Sequence, residues 1–488
     1  MFHCTADGDL WAKLSLGAAI WNHGELPTRD MFAFTPVLPA YVDHEWGAGL
    51  VFFTLLKLFG PGSLMMLKIV LALGTVTLGI AIARRLGCPW PALLALAVPA
   101  CVCILPGYVV VIRSHAFTYV FFAATLLLLE IIRSGKRWPA FALPVVMVLW
   151  VNVHGGFVAG LGTIGIYTLA SLSDRKLAAL MVPTSLACLF ATFVNPYGPK
   201  FWSYVLRAIL HKRPDIVEWQ PMPWWGMDAF IGFRILFIVT ICALILGWRE
   251  SRRSWPGLGM LLITAILALR SRRHAPFFGV AALAFIGPCL QAAFGTIGQR
   301  LAIVPSMAWE RALVVGYAAL ALFVSARFLP HVSFRVLAPV VVYPVREADI
   351  LARSGLSGNL AVPFMWGSYA GWRLHPKIKV SIDGRYEAAY PESTFAINHD
   401  FFHKRCPEWD RLLLNHQVDF IILDLQLCAL RPEDLAPKGF SLIWYHHGAS
   451  ALLASHKHAA SLKKAVAELP PSTIEPLNPA IPSAWPKL

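Results

Sequence analysis

The sequence predicts a polytopic α-helical membrane protein of about ten spans, followed by a small α/β domain. Three observations predict it. Of the 488 residues, 57% are hydrophobic and 14% charged, with a mean hydropathy of +0.60; a soluble chain carries about 25% charged residues. Apolar runs near spanning length, roughly 17–25 residues, recur from residue 62 to residue 329. After about residue 335, short β-rich runs (NLAVPF, KVSIDGR, VDFIILD, FSLIWYHH, ALLAS) alternate with helical stretches such as WDRLLLNHQ, the texture of a small α/β domain.

Taken in order, residues 1–61 form an acidic loop with two interfacial helices. Over 10–23 (LWAKLSLGAAIWNH), Leu10, Leu14 and Trp21 fall on one side at helical spacing, which predicts a helix lying on the membrane surface. Residues 46–60 are apolar but short and charged at Lys57, an interfacial or re-entrant helix. The transmembrane domain covers 62–330. Its expected spans are 62–83, 89–107, 115–132, 138–153, 156–172, 177–194, 231–247, 255–270, 275–292 and 310–329. The soluble domain runs over 335–456, and the Pro-rich tail over 457–488 is expected to be disordered.

The formal charge of +15 raises nucleic-acid binding, which the placement of the charge excludes. Lys and Arg sit in short clusters between apolar runs: Arg84 and Arg85, Arg133 to Arg137, Arg175 and Lys176, Arg249 to Arg253, Arg300. Basic alternate loops are expected on the cytoplasmic side. The opposite loops then face outward, and they collect the unusual polar residues of the membrane half; ten spans put the α/β domain outside as well. The nine cysteines show no metal-ligand spacing. Cys101 and Cys103 read as small buried residues, and pairing of Cys406 with Cys428 requires an oxidising compartment.

Four constellations carry chemistry. Asp7 and Asp9 flank Gly8 and, in an extended segment, point the same way; such a pair suits a general base, a divalent metal or a solvated loop. In VDHEWGAGL, Asp43 reads as a cap of the following helix, while His44 and Glu45 are left as cavity-lining candidates. Arg113, in VVVIRSHAF, and Arg270, Arg272, Arg273 and His274, in LALRSRRHAPFF, lie on the side where positive charge is scarce. Guanidinium forks suit phosphate oxygens, and snorkelling to lipid headgroups is the competing reading. Asn152 and His154 in WVNVHGGFVAG join two spans through a Gly-Gly reversal, compatible with a cavity-lining hairpin or an ordinary turn. Glu218 beside Trp219, Trp224 and Trp225 offers a carboxylate and stacking surface, although interface anchoring explains tryptophans equally.

DGDLWAKLSLGAAIWNHGELPTRDMFAFT with HEW, LWVNVHGGFVAG, FVNPYG, VEW, LRSRRH and KVSIDGRYEAAY together resemble bacterial membrane glycosyltransferases of the GT-C architecture. These are relatives of the protein O-mannosyltransferases and the lipid A aminoarabinose transferase, and the motifs look like an uncharacterised branch. The resemblance implies a polyprenyl-phosphate-linked sugar as donor, an extracytoplasmic glycan, lipid or protein acceptor, and a place in the bacterial inner membrane. By the same resemblance one of Asp7 and Asp9 is the catalytic base, and Arg113, Arg270, Arg273 and His274 hold the lipid phosphate. No cofactor is firmly implied, and a divalent metal is compatible with the paired carboxylates. Members of the family carry a membrane helix ahead of the acidic loop, where this chain has only MFHCTA; a start at an internal methionine is therefore expected, with a real truncation as the alternative. The alternatives are a lipid-diphosphate-dependent O-antigen ligase or polymerase, and a non-catalytic lipid-binding transporter or flippase. Transporters place ionisable residues near mid-membrane, whereas here they collect at one boundary.

Overall fold

The computed structural model describes residues 4–27, 29–39, 42–108, 111–210, 217–226, 228–251, 254–300, scattered positions between 312 and 326, 336–337, 342–446 and 448–468. The chain divides into two compact units, one comprising Met1–Phe2, Met66–Val110 and Ser114–Ser333, the other His3–Met65, Val111–Arg113 and Phe334–Leu488.

The first unit is helical. Among the described residues three helices are long and apolar enough to cross a membrane: Gly62–Arg85, which begins in the other unit, Trp90–Gly107 and His115–Arg133. Arg272–Phe285 and Gly287–Gly295 are together apolar enough to cross but meet at a 57° bend, the geometry of a broken span or of a re-entrant loop. Shorter apolar helices cover Pro139–Val153, Phe157–Ser171, Ile231–Leu246 and Trp255–Arg270. Several expected spans are thus only 15 or 16 residues long, about 24 Å of helix at 1.5 Å per residue. The cause is local: the Gly155-Gly156 reversal ends one helix and starts the next, and Ser271 breaks the last turn of another with extended backbone (φ −153°, ψ 124°). Large apolar side chains project outward from these helices, among them Phe141, Leu169 and Ile245, as a lipid-facing surface does. The expected span 310–329 lies outside the described residues, save for scattered positions.

In the second unit, the N-terminal segment and the α/β domain are built together. Helices α1 (Gly8–His23) and α2 (Trp46–Phe59) pack through glycines. A Cβ on Gly17 would stand 2.2 Å from the Gly49 carbonyl oxygen and 2.7 Å from Phe53 Cβ. Because the obstacle is backbone, it cannot swing away. Gly17→Val is therefore expected to push the two helices apart and cost about 1–3 kcal/mol, read as a lower melting temperature of the purified protein. The 10–23 segment, expected on a membrane surface, is covered on nearly all sides: Leu10, Trp11, Lys13, Leu14, Leu16 and Ile20 are all buried. Its partners are α2 and the helix Phe364–Leu374.

The sheet has five strands in the order β4-β3-β5-β7-β6, with β3 at Gly358–Ala361, β4 at Ile378–Val380, β5 at Phe420–Asp424, β6 at Phe440–His446 and β7 at Ser450–Ser455. β3 pairs in parallel with β4 and β5, while β7 pairs antiparallel with β5 and β6. β5 is buried along its whole length, which is why VDFIILD reads as a continuous apolar run. Residues 32–34 extend the sheet beyond β4: Val380 N donates to Phe32 O (2.9 Å), and Phe34 N donates to Val380 O (3.1 Å). A two-stranded parallel ladder, β1 (Cys4–Thr5) with β2 (Val336–Leu337), ties the start of the chain to the entry of the α/β domain. Part of the expected disordered tail is helical. His456–Ala467 buries Ala459 and Leu462 against β6 and β7, and residues 469–488 lie outside the described residues. Cys406 and Cys428 are free thiols.

Candidate active site

A cavity of about 310 Å³ opens at the N-terminal end of α1. One wall is Ala6, Asp7, Gly8, Asp9, Val111 and Arg113; the other is Val342, Tyr343, Phe364, Met365, Ser368 and Gly384. All belong to the second unit.

The two aspartates occupy different positions in the turn rather than pointing in parallel from an extended segment. Asp7 has extended backbone (φ −112°, ψ 177°) and caps α1, its Oδ1 accepting from Leu10 N at 3.0 Å. Its Oδ2 accepts from Arg113 Nε. Both oxygens of Asp7 are thus engaged. Asp9 lies in the first helical turn with 52% of its side chain exposed, and its Oδ2 is 3.4 Å from Arg113 Nε. Although open to the cavity, Asp9 is ringed by protein. That desolvation, with the charge of Asp7 second, lifts its carboxyl to about 6 against the weaker pull of Arg113. An ionisation near neutral pH suits a group that must accept a proton.

The turn is held from several directions. Tyr343 donates its hydroxyl to the Ala6 carbonyl oxygen at 3.1 Å. Trp11, one helical turn beyond Asp7, is fully buried and meets Tyr343 and Tyr369 edge-on, with ring centroids 5.9 and 5.1 Å away. Behind the turn, Lys13 is buried and reaches Asp43 Oδ1 at 2.8 Å, Asp43 Oδ2 at 3.1 Å and Glu45 Oε2 at 3.1 Å. Burial alone would raise the Asp43 carboxyl, but the Lys13 ammonium overrides it and holds the group below its ordinary value. Asp43 Oδ1 also accepts from Glu45 N at 2.9 Å, so it caps the turn leading into α2. His44 Nε2 lies 3.6 Å from Glu45 Oε1. His44 and Glu45 are not among the residues lining the cavity; with Lys13 they support it from behind.

The remaining candidates lie in the first unit. There the structure joins two constellations that the sequence keeps apart. Met222 N donates to Leu269 O, Arg272 N to Gln220 O and Arg272 Nε to Pro221 O, at 3.0–3.1 Å. Ser271 Oγ donates to Glu218 O at 3.2 Å. The VEWQPM segment therefore lies along LRSRRH, and the Arg273 guanidinium stacks over the Trp219 ring at 5.0 Å, a cation–π contact. Arg270 is exposed, while Arg273 and His274 are half-buried.

Asn152 and His154 have structural partners. Asn152 Nδ2 donates to Val148 O and Val194 O, both at 2.8 Å. His154 Nδ1 accepts from Gly156 N at 2.9 Å and lies 2.6 Å from Thr118 Oγ1, which leaves the ring proton on Nε2. A Cβ at Gly156 would come within 2.3 Å of that hydroxyl, so the second glycine of the reversal is required for His154 to seat.

Sequence reasoning missed Lys13, Tyr343, Met365 and Ser368. A lysine four residues beyond Asp9, on the same helix face, was the one local signal. The others come from more than 300 residues away and left none. Among the described residues no group of three or more His, Cys, Asp or Glu side chains is arranged to hold a metal.

No family model matches this sequence, and no curated protein matches it. Two solved structures of the oligosaccharyltransferase from Archaeoglobus fulgidus are similar in fold. The apo form has a TM-score of 0.54 at 12% identity over 86% of this chain. The enzyme, AglB, in complex with an inhibitory peptide and a dolichol-phosphate, has a TM-score of 0.55 at 13% identity over 87% of this chain. In each case this chain spans 66% of the other chain's length, just under two thirds. At this identity the likeness is one of fold: a largely helical architecture with a small sheet, similar to that of the oligosaccharyltransferase.

Proposed function

We propose that this chain is a membrane glycosyltransferase that moves a sugar from a polyprenyl-phosphate donor to a hydroxyl of an extracytoplasmic acceptor. The observation that carries the proposal is the cavity at α1, where Asp7 is fully engaged and Asp9 stands open with its carboxyl lifted to about 6. The fold likeness to an oligosaccharyltransferase supports a lipid-linked donor. Of the two aspartates, Asp9 is the base in this reading. It takes the proton of the acceptor hydroxyl as the acceptor oxygen bonds to the anomeric carbon. The bond from that carbon to the phosphate oxygen breaks, and polyprenyl phosphate leaves. Such transfer passes through an oxocarbenium-like state, so positive charge is needed where the phosphate departs.

By the family resemblance, Arg270, Arg273 and His274 are the residues that would bind the lipid phosphate, and Trp219 stacks on the Arg273 guanidinium. Arg113, expected at the phosphate, serves the carboxylates instead. The membrane is the bacterial cytoplasmic membrane, with the cavity on its outer side.

The test is transfer from radiolabelled polyprenyl-phosphate sugars, with lipid-diphosphate donors in parallel. A base must be deprotonated to act. Because the Asp9 carboxyl is raised, kcat/KM is expected to be flat above pH 7 and to fall tenfold per pH unit below about 6. Transfer from a diphosphate donor alone would favour the ligase reading. An acid limb near 4 would remove Asp9 from the role.

A further inference from the structure

Four carboxylates gather where α1 and α2 begin: Asp7, Asp9, Asp43 and Glu45. In a glycosyl-transfer site such a cluster invites a divalent cation, which requires several oxygens free to coordinate it. The donor atoms here do not fit one. Asp7 Oδ1 accepts from Leu10 N and Asp7 Oδ2 from Arg113. Both oxygens of Asp43 accept from Lys13 Nζ, and Glu45 Oε2 lies 3.1 Å from the same nitrogen. Glu45 Oε1 faces His44, and Asp9 Oδ2 faces Arg113. We infer that Lys13 and Arg113 are built-in counter-ions that take the place of a divalent cation, so that this cavity works without one.

The geometry gives Lys13 that role. Its ammonium bridges two carboxylates of the segment that leads into α2, Asp43 and Glu45, as a metal ion would. It is 8% exposed, and the close contact of Gly17 with Gly49 fixes the helix that carries it. An ammonium is a compact point charge with three donors, and the contacts to Asp43 and Glu45 use it in that sense. A divalent ion entering the cluster would meet a fixed positive charge beside each pair of carboxylates.

The inference rests on the reading of this cavity as the catalytic one, but its test needs no donor sugar. The full chain in lipid nanodiscs is titrated with Mn²⁺ and followed by electron paramagnetic resonance, with bound metal checked by elemental analysis. The wild-type chain is expected to bind no stoichiometric Mn²⁺ at millimolar concentration. Lys13→Ala, or the aliphatic Lys13→Met if the first does not fold, is expected to bind one equivalent at least tenfold more tightly, and adding Asp43→Asn to remove it. Stoichiometric binding by the wild-type chain, abolished by Asp9→Asn, would overturn the inference. So would Lys13 variants that fold and remain silent. Transfer that is lost in EDTA and restored by Mn²⁺ would overturn it from the activity side. Retention of transfer by Asp9→Asn would instead bring down the base assignment and leave the metal result standing.

Discussion

Asp9→Asn is expected to lower kcat by about 10²–10⁴-fold, the range that a positioned general base contributes, while the protein melts at the same or a higher temperature at pH 7. The two halves of this expectation come from one fact. Asp9 is ionised at some cost, because surrounding protein and the neighbouring Asp7 disfavour its charge and lift it to about 6. An acid with a raised native pKa binds protons more readily folded than unfolded, so its contribution to stability falls as pH rises from about 4 to 6. Asparagine keeps the shape and removes that penalty. Asp7→Asn should behave oppositely. It weakens the pairing with Arg113 while keeping a side-chain acceptor for Leu10 N, so it should lower the melting temperature. A transfer assay beside a thermal melt of both variants checks the pair; equal activity loss with equal destabilisation would mean that neither aspartate acts as base.

Arg385→Ala is expected to be among the most destabilising single changes in the second unit, at roughly 3–5 kcal/mol. The Arg385 side chain is 2% exposed, and its partners Asp30 and Asp383 are 1% and 5% exposed. It makes a bidentate contact with Asp383 at 2.6–3.0 Å, pairs with Asp30, and donates to the Tyr390 hydroxyl at 3.2 Å. Truncating it leaves two carboxylates buried without their counter-ion. Asp30 Oδ2 accepts from Phe32 N and Ala33 N at 3.2 and 2.7 Å, so the loss spreads to the residues that extend the sheet. On a unit of this size the effect corresponds to a melting temperature lower by on the order of 10 °C. Lys at this position keeps a charge but not the fork, and should recover only part of the loss.

The architecture was legible because it depends on local properties. Apolar run length marks helices that face lipid, and the unbroken apolar run of β5 announces a strand buried on both faces. The aspartates at 7 and 9 were legible as a pair, but not their division of labour, since the distinction is made by Arg113, 106 residues away. In SIDGR, Asp383 and Arg385 stand two residues apart, close enough for a local ion pair. Asp383 and Arg385 do pair, but the same arginine closes on Asp30 across 355 residues, and no spacing rule reaches that far. The helix over 10–23 illustrates the opposite error. Leu10, Leu14 and Trp21 suggested one apolar side, whereas burial extends to Lys13 and Ser15, whose polar ends are satisfied by Asp43 and by the Trp11 carbonyl oxygen.

The parallel pairing of Cys4–Thr5 with Val336–Leu337 has a consequence for biosynthesis. The acidic turn is synthesised before the segments that complete its cavity, which emerge more than 300 residues later. At about 5–20 residues per second, that interval is tens of seconds. Throughout it Trp11, Leu16 and Ile20 lack the α/β domain they are buried against in the finished fold, and a lipid headgroup layer is the natural place for such a helix to wait. The cavity is therefore incomplete until the α/β domain has been made.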